Sequence, residues 1–169
     1  NSEKRSFFDR LTFNVNNNHL KNLSKLQKLL KERLTLLKKV NYESEWMSIL
    51  ENKIAEISFV IINDRINFIE ILNRQLSEIR KPFTSCFVEF KHELNSLDQF
   101  VSNEEMFVRE YSSVLEAKRE LDAELNKTTY NINKVNISIW NYNNRDIEAK
   151  NCSTGEQKSI LLSIIISVA

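Results

Sequence analysis

Glycine and proline are almost missing. Gly155 and Pro82 are the only ones in 169 residues, where average usage is about 7% and 5%. A chain this poor in turn residues reads as long, uninterrupted elements. The scarcity also excludes a phosphate loop of the form G-x-x-x-x-G-K-[ST], which needs two glycines. Cysteine and histidine are scarce as well. Cys86 and Cys152 form no C-x-x-C, and His19 and His92 lie far apart. No disulfide framework or zinc-ligand spacing results, which suits a reducing cytoplasm. The first residues, "NSEKRSFFDRL", contain no apolar core of a signal peptide. The longest apolar run, "ILLSIIISVA", is about half of what a bilayer crossing requires. It stops without cap, charge or breaker, and no Met opens the chain. The sequence therefore reads as a piece cut at both ends from a longer protein.

What is present is ordinary in bulk. Hydrophobic residues make up 41% and charged residues 28%, as in soluble globular proteins. The formal net charge of +1 leaves no global basic field. Asn, Lys and Ile are abundant, a bias that gene composition can produce, so each Asn is not read as functional.

Periodicity supplies the elements. In 19–39, Leu20, Leu23, Leu26, Leu30, Leu34 and Leu37 recur at spacings of three and four and predict one helical face. "NNN" at 16–18 offers its N-cap. Over 43–79, Trp46, Leu50, Ile54, Ile57, Ile61, Phe68, Leu72, Leu76 and Ile79 keep the same period until Pro82 ends it. A helix of that length is roughly 55 Å long. It predicts an arm of antiparallel helices sharing an apolar seam. In "FTSCFVEFKHEL" the period becomes two, with Cys86, Val88 and Phe90 on one side, so a strand is predicted near 84–92. Segment 103–125 returns to helix, capped by Asn103, with Phe107, Val108, Tyr111, Val114, Leu115 and Leu121 toward one side. Val135, Ile137 and Ile139 alternate again, "NYNN" at 141–144 signals a turn, and "RDIEA" reads as the returning strand. The expected fold is mostly α with a small β part, closing on a buried helix.

The glycine sits in "CSTGEQK". Ser153-x-x-Glu156 is a capping box, the common opening of a helix. A second reading is a phosphate site. A helix N-terminus presents unpaired N–H groups and about half a positive charge, and Gly155 removes a Cβ that would block approach. The two readings are compatible.

"CSTGEQKSILLSIII" resembles the signature motif of the RecF family, the ABC-type, SMC-like ATPases of recombinational DNA repair. Against "LSGGQ", Cys152 takes the leucine place, Ser153 the serine, Thr154 and Gly155 the glycines and Glu156 the glutamine. Gln157 and Lys158 follow as they often do in that family. "RSFFDRLTF" at 5–13 resembles its R-x-F-L-D-R segment. "LQKLLKERLTLLK" at 26–38 resembles its Y-x-x-x-L-x-x-R-N-x-L-L helix. "ELDAELNKTTYNINKVNI" at 120–137 falls at R-D-x-x-x-G-x-T-x-x-G-P-H-R-D-D. There Asn126 replaces the glycine and "NINKVN" at 131–136 replaces G-P-H-R-D-D, leaving Lys134 as the nearest charge and Asn136 at an acidic place.

The resemblance implies a junction from a missing ATPase lobe (1–18), a helical arm domain containing the strand near 84–92 (19–125), and a hairpin plus signature helix of the ABC-type lobe (126–169). It implies ATP and Mg as the full-length family's cofactors, and a clamp-like homodimer on DNA in which one subunit's signature closes over ATP held by the other. The signature residues would be Ser153, Thr154, Gly155, Glu156, Gln157 and Lys158. Partners would be single-stranded DNA and duplex ends or gaps, a second copy, and recombination-mediator proteins of gap repair. The setting would be DNA replication, DNA damage and the SOS response in the cytoplasm. Without Walker A and Walker B motifs, this stretch should not bind or hydrolyse ATP alone.

Lys21, Lys25, Lys28, Lys31, Arg33, Lys38 and Lys39 stand against Glu32 in the first long helix, whereas 102–125 is acidic. Lys21, Lys25 and Lys28 share one side and are the candidates for DNA-backbone contact. The alternative is a solvated face, or one salt-bridged to the acidic helix. Glu104-Glu105 has no base or substrate opposite it. Cys86 near His92 reads as a packed strand cysteine. Trp46 and Trp140 read as core or seam. Two other readings remain for the whole chain: a structural helical-hairpin interaction module, and a non-functional gene remnant.

Overall fold

The computed structural model describes residues 2–39, 43–92, 101–142 and 147–168. Its elements are α1 (Ser2–Thr12), α2 (His19–Leu37), α3 (Ser44–Glu78), β1 (Cys86–His92), α4 (Glu104–Ala117), α5 (Arg119–Leu125), β2 (Val135–Asn141), a 3-10 turn (Ala149–Asn151) and α6 (Thr154–Ser167). The fold is mostly α with one two-stranded antiparallel sheet, as expected. Two compact units result.

The first unit joins 1–16, 64–91 and 135–169. The alternation read in both strands puts Cys86, Val88, Val135 and Ile137 on the buried side of the sheet. Phe8 of α1, Phe68, Leu72 and Leu76 of α3, and Ile160 and Ile164 of α6 pack against them. A bond from Tyr142 N–H to Ser85 C=O (3.0 Å) ties the segments flanking the strands. The Asn73 side chain accepts from Val88 N–H (2.7 Å) and donates to Val88 C=O (2.8 Å), so an amide occupies one backbone pair of β1 as a neighbouring strand would. Arg65 grips buried Asp9 with two bonds, Nε to Oδ1 at 2.8 Å and a terminal nitrogen to Oδ2 at 2.9 Å. This fork geometry compensates the desolvation of both charges.

The second unit joins 17–63 and 92–134. The period-3.6 pattern of α3 buries Leu50, Ile54 and Ile61, and α2 contributes Leu26 and Leu37. Phe107 of α4 meets Phe59 (ring centroids 5.4 Å apart) and stacks on Tyr111 (5.6 Å). Asn103 caps α4 by accepting from Met106 N–H at 3.0 Å.

Several expectations differ. The strand assigned to the arm pairs with β2 and lies in the unit that carries α6, because its apolar side completes that core. Residues 103–125 form two helices that break at Lys118, and Leu121 is exposed rather than packed. Trp46 is exposed at the start of α3, with the Lys53 ammonium 5.9 Å from its ring centroid. Asn18 occupies the N-cap of α2 without a side-chain capping bond. The returning strand after β2 reduces to one bridge, Trp140 with Glu148, before the 3-10 turn; 143–146 lie outside the described residues. The closing helix is buried only through Ile160, Ser163 and Ile164.

Candidate functional site

The approach to α6 is built from short-range bonds. The 3-10 turn closes with Asn151 N–H on Glu148 C=O (2.8 Å) and Cys152 N–H on Ala149 C=O (3.2 Å). Lys150 pairs with Glu148 and holds that carboxyl below its usual range. Ser153 then turns extended, with ψ at 156°, and α6 begins. Both halves of the capping box form: Ser153 Oγ accepts from Glu156 N–H (3.4 Å), and Glu156 Oε2 accepts from Ser153 N–H (2.9 Å). The Ser153 hydroxyl also donates to Glu156 Oε2 at 2.7 Å. These bonds from the Ser153 side chain and backbone lower the Glu156 pKa. Gln157 reaches back, its side-chain nitrogen donating to Cys152 C=O (2.9 Å) and Lys150 C=O (3.3 Å).

The tip is open. Ser153, Thr154, Gly155, Glu156, Gln157 and Lys158 are all exposed. Among the described residues, no protein acceptor meets the N–H groups of Thr154 and Gly155. Gly155 lacks a positive φ, and a Cβ built there meets nothing within 4 Å. The chain's own packing therefore does not require glycine, even though glycine in a helix costs up to about 1 kcal/mol relative to alanine. What the residue leaves is room above two unpaired donors.

The second candidate is the outer side of α2. Lys21, Lys25 and Lys28 are exposed, as are Lys31, Lys38 and Lys39. Among the described residues, no carboxylate pairs with Lys21, Lys25 or Lys28. The salt-bridged alternative read from the sequence therefore does not hold for them. Arg33 leaves the basic set: it is fully buried. The signature residues belong to the first unit and these lysines to the second.

Cys86 is no nucleophile. Burial pushes its thiol up to about 12, so the thiolate is negligible at neutral pH. The side chain of His92 lies outside the described residues. Trp140 is partly buried and stacks on Phe87, with centroids 6.4 Å apart. No metal-ligating cluster occurs among the described residues, and none of their helices is long and apolar enough to cross a membrane.

No protein-family model matches the chain. Its sequence aligns over 98% of its length with the DNA replication and repair protein RecF of Rickettsia bellii (strain OSU 85-389), at 28% identity. The RecF of Rickettsia typhi (strain ATCC VR-144 / Wilmington) aligns over the same share at 30%. The chain is of the RecF family. It spans 45% of the length of each of these relatives. The fold agrees: the solved recombination mediator protein RecF-ATPrS of the RecFOR pathway matches 99% of this chain and 45% of its own, with a TM-score of 0.79 at 20% identity. The RecF-ATP structure gives 0.74.

The RecF-like stretches at 26–38 and 120–137 meet in a buried cluster that the sequence did not announce. Arg33 bonds Glu51 (2.9 Å), Asp122 (2.7 Å) and the Leu115 carbonyl (2.7 Å). Thr128 lies 3.5 Å from the same guanidinium. Arg119 bonds the second oxygen of Glu51 at 2.6 Å. Asp122 accepts from the Thr129 N–H (2.8 Å) and hydroxyl (2.6 Å). Asn126, the C-cap of α5, is left-handed with φ 51° and ψ 37°. Asparagine tolerates that region best after glycine, so the residue suits the turn that ends α5. One signal was available: Arg33 falls in phase with Leu26, Leu30 and Leu37, on the buried side of α2.

Proposed function

We propose that this chain contributes the signature half of a RecF-type nucleotide site, with its α6 tip facing a triphosphate bound by a second subunit. The observation that carries this reading is Gly155: exposed, in ordinary helical conformation, and unnecessary to the chain's own packing. A phosphate oxygen would accept from the N–H groups of Thr154 and Gly155, where the helix dipole favours an anion. The Ser153 hydroxyl joins by turning from Glu156 toward the phosphate, and Lys158 adds charge one turn further on. With a single glycine the chain holds no P-loop of its own, so ATP and Mg would be held by the partner, whose ATP binding closes the dimer.

In this reading the dimer clamps DNA in gap repair in the cytoplasm, together with recombination-mediator proteins. The unpaired Lys21, Lys25 and Lys28 lie on one side of α2 and suit the regularly spaced phosphates of a DNA backbone. Such contact is blind to sequence and weakens with salt.

The test mixes the chain with a RecF subunit carrying an intact P-loop and measures mass by light scattering. ATP-dependent pairing that Ser153→Arg abolishes supports the reading. Pairing that ignores both ATP and Ser153→Arg would instead favour the structural-module reading, to which the complete capping box is the chief support. A remnant would show no pairing at all. For DNA, replacing Lys21, Lys25 and Lys28 by alanine should weaken binding on every sequence alike. It should also flatten the log–log salt dependence by about 0.9 for each phosphate that the variant no longer neutralises.

A further inference from the structure

α6 is held from one side. Ile160, Ser163 and Ile164 are buried, whereas Leu161, Leu162, Ile165 and Ile166 on its apolar flank are exposed. Aliphatic contact is non-directional. It keeps the helix on the core without fixing how far it turns about its axis or slides along it. Ser159 and Ser163 interrupt the aliphatic run, and their spacing of four puts them on one row of the helix. Both meet a single residue, Thr84, in the turn between α3 and β1. Ser159 Oγ accepts from the Thr84 N–H (2.9 Å) and from the Thr84 hydroxyl (3.0 Å). The Ser163 hydroxyl donates to the Thr84 carbonyl (2.8 Å), with the Ser159 carbonyl also in reach at 2.9 Å. The N–H, carbonyl and hydroxyl of Thr84 are thus all engaged by α6. The turn is anchored in its own right. The Ser85 hydroxyl donates to the Leu76 carbonyl in the last turn of α3 (3.0 Å), and the Phe83 N–H to the Arg80 carbonyl (3.2 Å). Hydrogen bonds require direction as well as distance. A slip of α6 would orphan the Ser163 hydroxyl inside the core, which is costly.

We infer that Thr84, Ser159 and Ser163 form a latch that sets where the tip of α6 points, which makes them positioning residues for the signature; this rests on the nucleotide reading of that tip. They act through the N–H groups of Thr154 and Gly155 and not on the phosphate itself. Gly155 stands four residues before Ser159, on the same row of the helix, so the latch fixes the direction of that donor most directly. Turning α6 by about 20° would carry an atom ~5 Å from its axis through about 2 Å. A misplacement of about 1 Å already costs on the order of 100-fold where a group must meet its target in one geometry.

The test reads position and pairing separately. Amide residual dipolar couplings of the full chain, without nucleotide, compare the orientation of α6 with that of β1. Ser159→Ala should turn or loosen α6 against β1, and Ser159→Thr, which keeps the hydroxyl, should leave it in place. Light scattering with a RecF subunit carrying an intact P-loop then measures ATP-dependent pairing. Ser159→Ala should weaken it about tenfold or more, and Ser159→Thr should restore it. Ile69→Val thins the same core from α3 without touching the latch, so it shows what lost stability does alone and should pair normally. Thr84→Val removes a hydroxyl and keeps both backbone bonds; it is the second probe should Ser159→Ala fail to fold. Normal pairing in both Ser159→Ala and Thr84→Val overturns the inference, as does an equal loss in Ile69→Val. If the unsubstituted chain does not pair, the nucleotide reading has failed and the couplings decide the latch alone. An α6 unmoved in Ser159→Ala then overturns it, and a moved one upholds it.

Discussion

Arg33 and Asp122, 89 residues apart in sequence, are joined at 2.7 Å with both side chains inaccessible to solvent. The bond ties α2 to α5, and through Glu51 and Arg119 the same cluster ties both to α3. Two guanidinium groups and two carboxylates balance one another there, and hydrogen bonds from Thr129 complete the coordination of Asp122.

Removing one carboxylate leaves the buried Arg33 and the half-buried Arg119 sharing Glu51, and only Arg119 also reaches Glu116. Asp122→Ala should destabilise the protein by roughly 3–5 kcal/mol, the usual cost of breaking a buried pair. Urea denaturation measures it. The double variant Arg33→Met/Asp122→Leu, which removes charge in balance, should recover a large part of the loss.

Asn126 holds a left-handed conformation at the end of α5. Asn126→Gly should leave stability unchanged or raise it slightly, while Asn126→Val should lower it by about 1–2 kcal/mol. A thermal midpoint that falls in Asn126→Gly would contradict the turn geometry.

Gly155→Ala separates fold from function. A methyl group there meets nothing and improves the helix, so stability should rise by up to about 1 kcal/mol. ATP-dependent pairing with a P-loop subunit should fall. A variant that is more stable and pairs normally would remove the reason for placing a phosphate above this residue.

The Glu156 carboxyl titrates below its ordinary 4.5 because the Ser153 hydroxyl and N–H favour the charged form. Since the folded pKa is depressed, the cap's contribution is fully present above the unfolded pKa and is lost as pH falls through the folded one. A side-chain NMR titration should place Glu156 below an unfolded glutamate. Ser153→Ala should return it toward the ordinary value.

The two periods in the sequence located α2, α3, β1, α4 and β2, whereas α1 (Ser2–Thr12) was not read as a helix. A 3.6-residue repeat without glycine or proline favours helix along most of its length. A two-residue alternation such as Cys86, Val88 and Phe90 can only serve a sheet with one buried side. The cap was legible too, since Ser153 and Glu156 stand at the one spacing where each reaches the other's backbone. The break at Lys118 was not legible, because no breaker residue marks it: Arg119 leaves the line of α4 to reach Glu51 and Ser48. Trp46 and Leu121 kept the apolar phase but lie exposed, since phase states which side a residue takes and not whether another element covers it.

Local chemistry along the chain thus determined the helices, the strands, the capped tip of α6 and the likeness to RecF, because each depends on neighbours within a few residues. Tertiary structure alone decided that β1 joins β2, that Arg33 is an internal cation and not part of the basic surface, and that α6 keeps an apolar flank uncovered. Those outcomes depend on which distant groups share a buried volume, where an unpaired charge or an unfilled cavity is costly, and no local pattern encodes that.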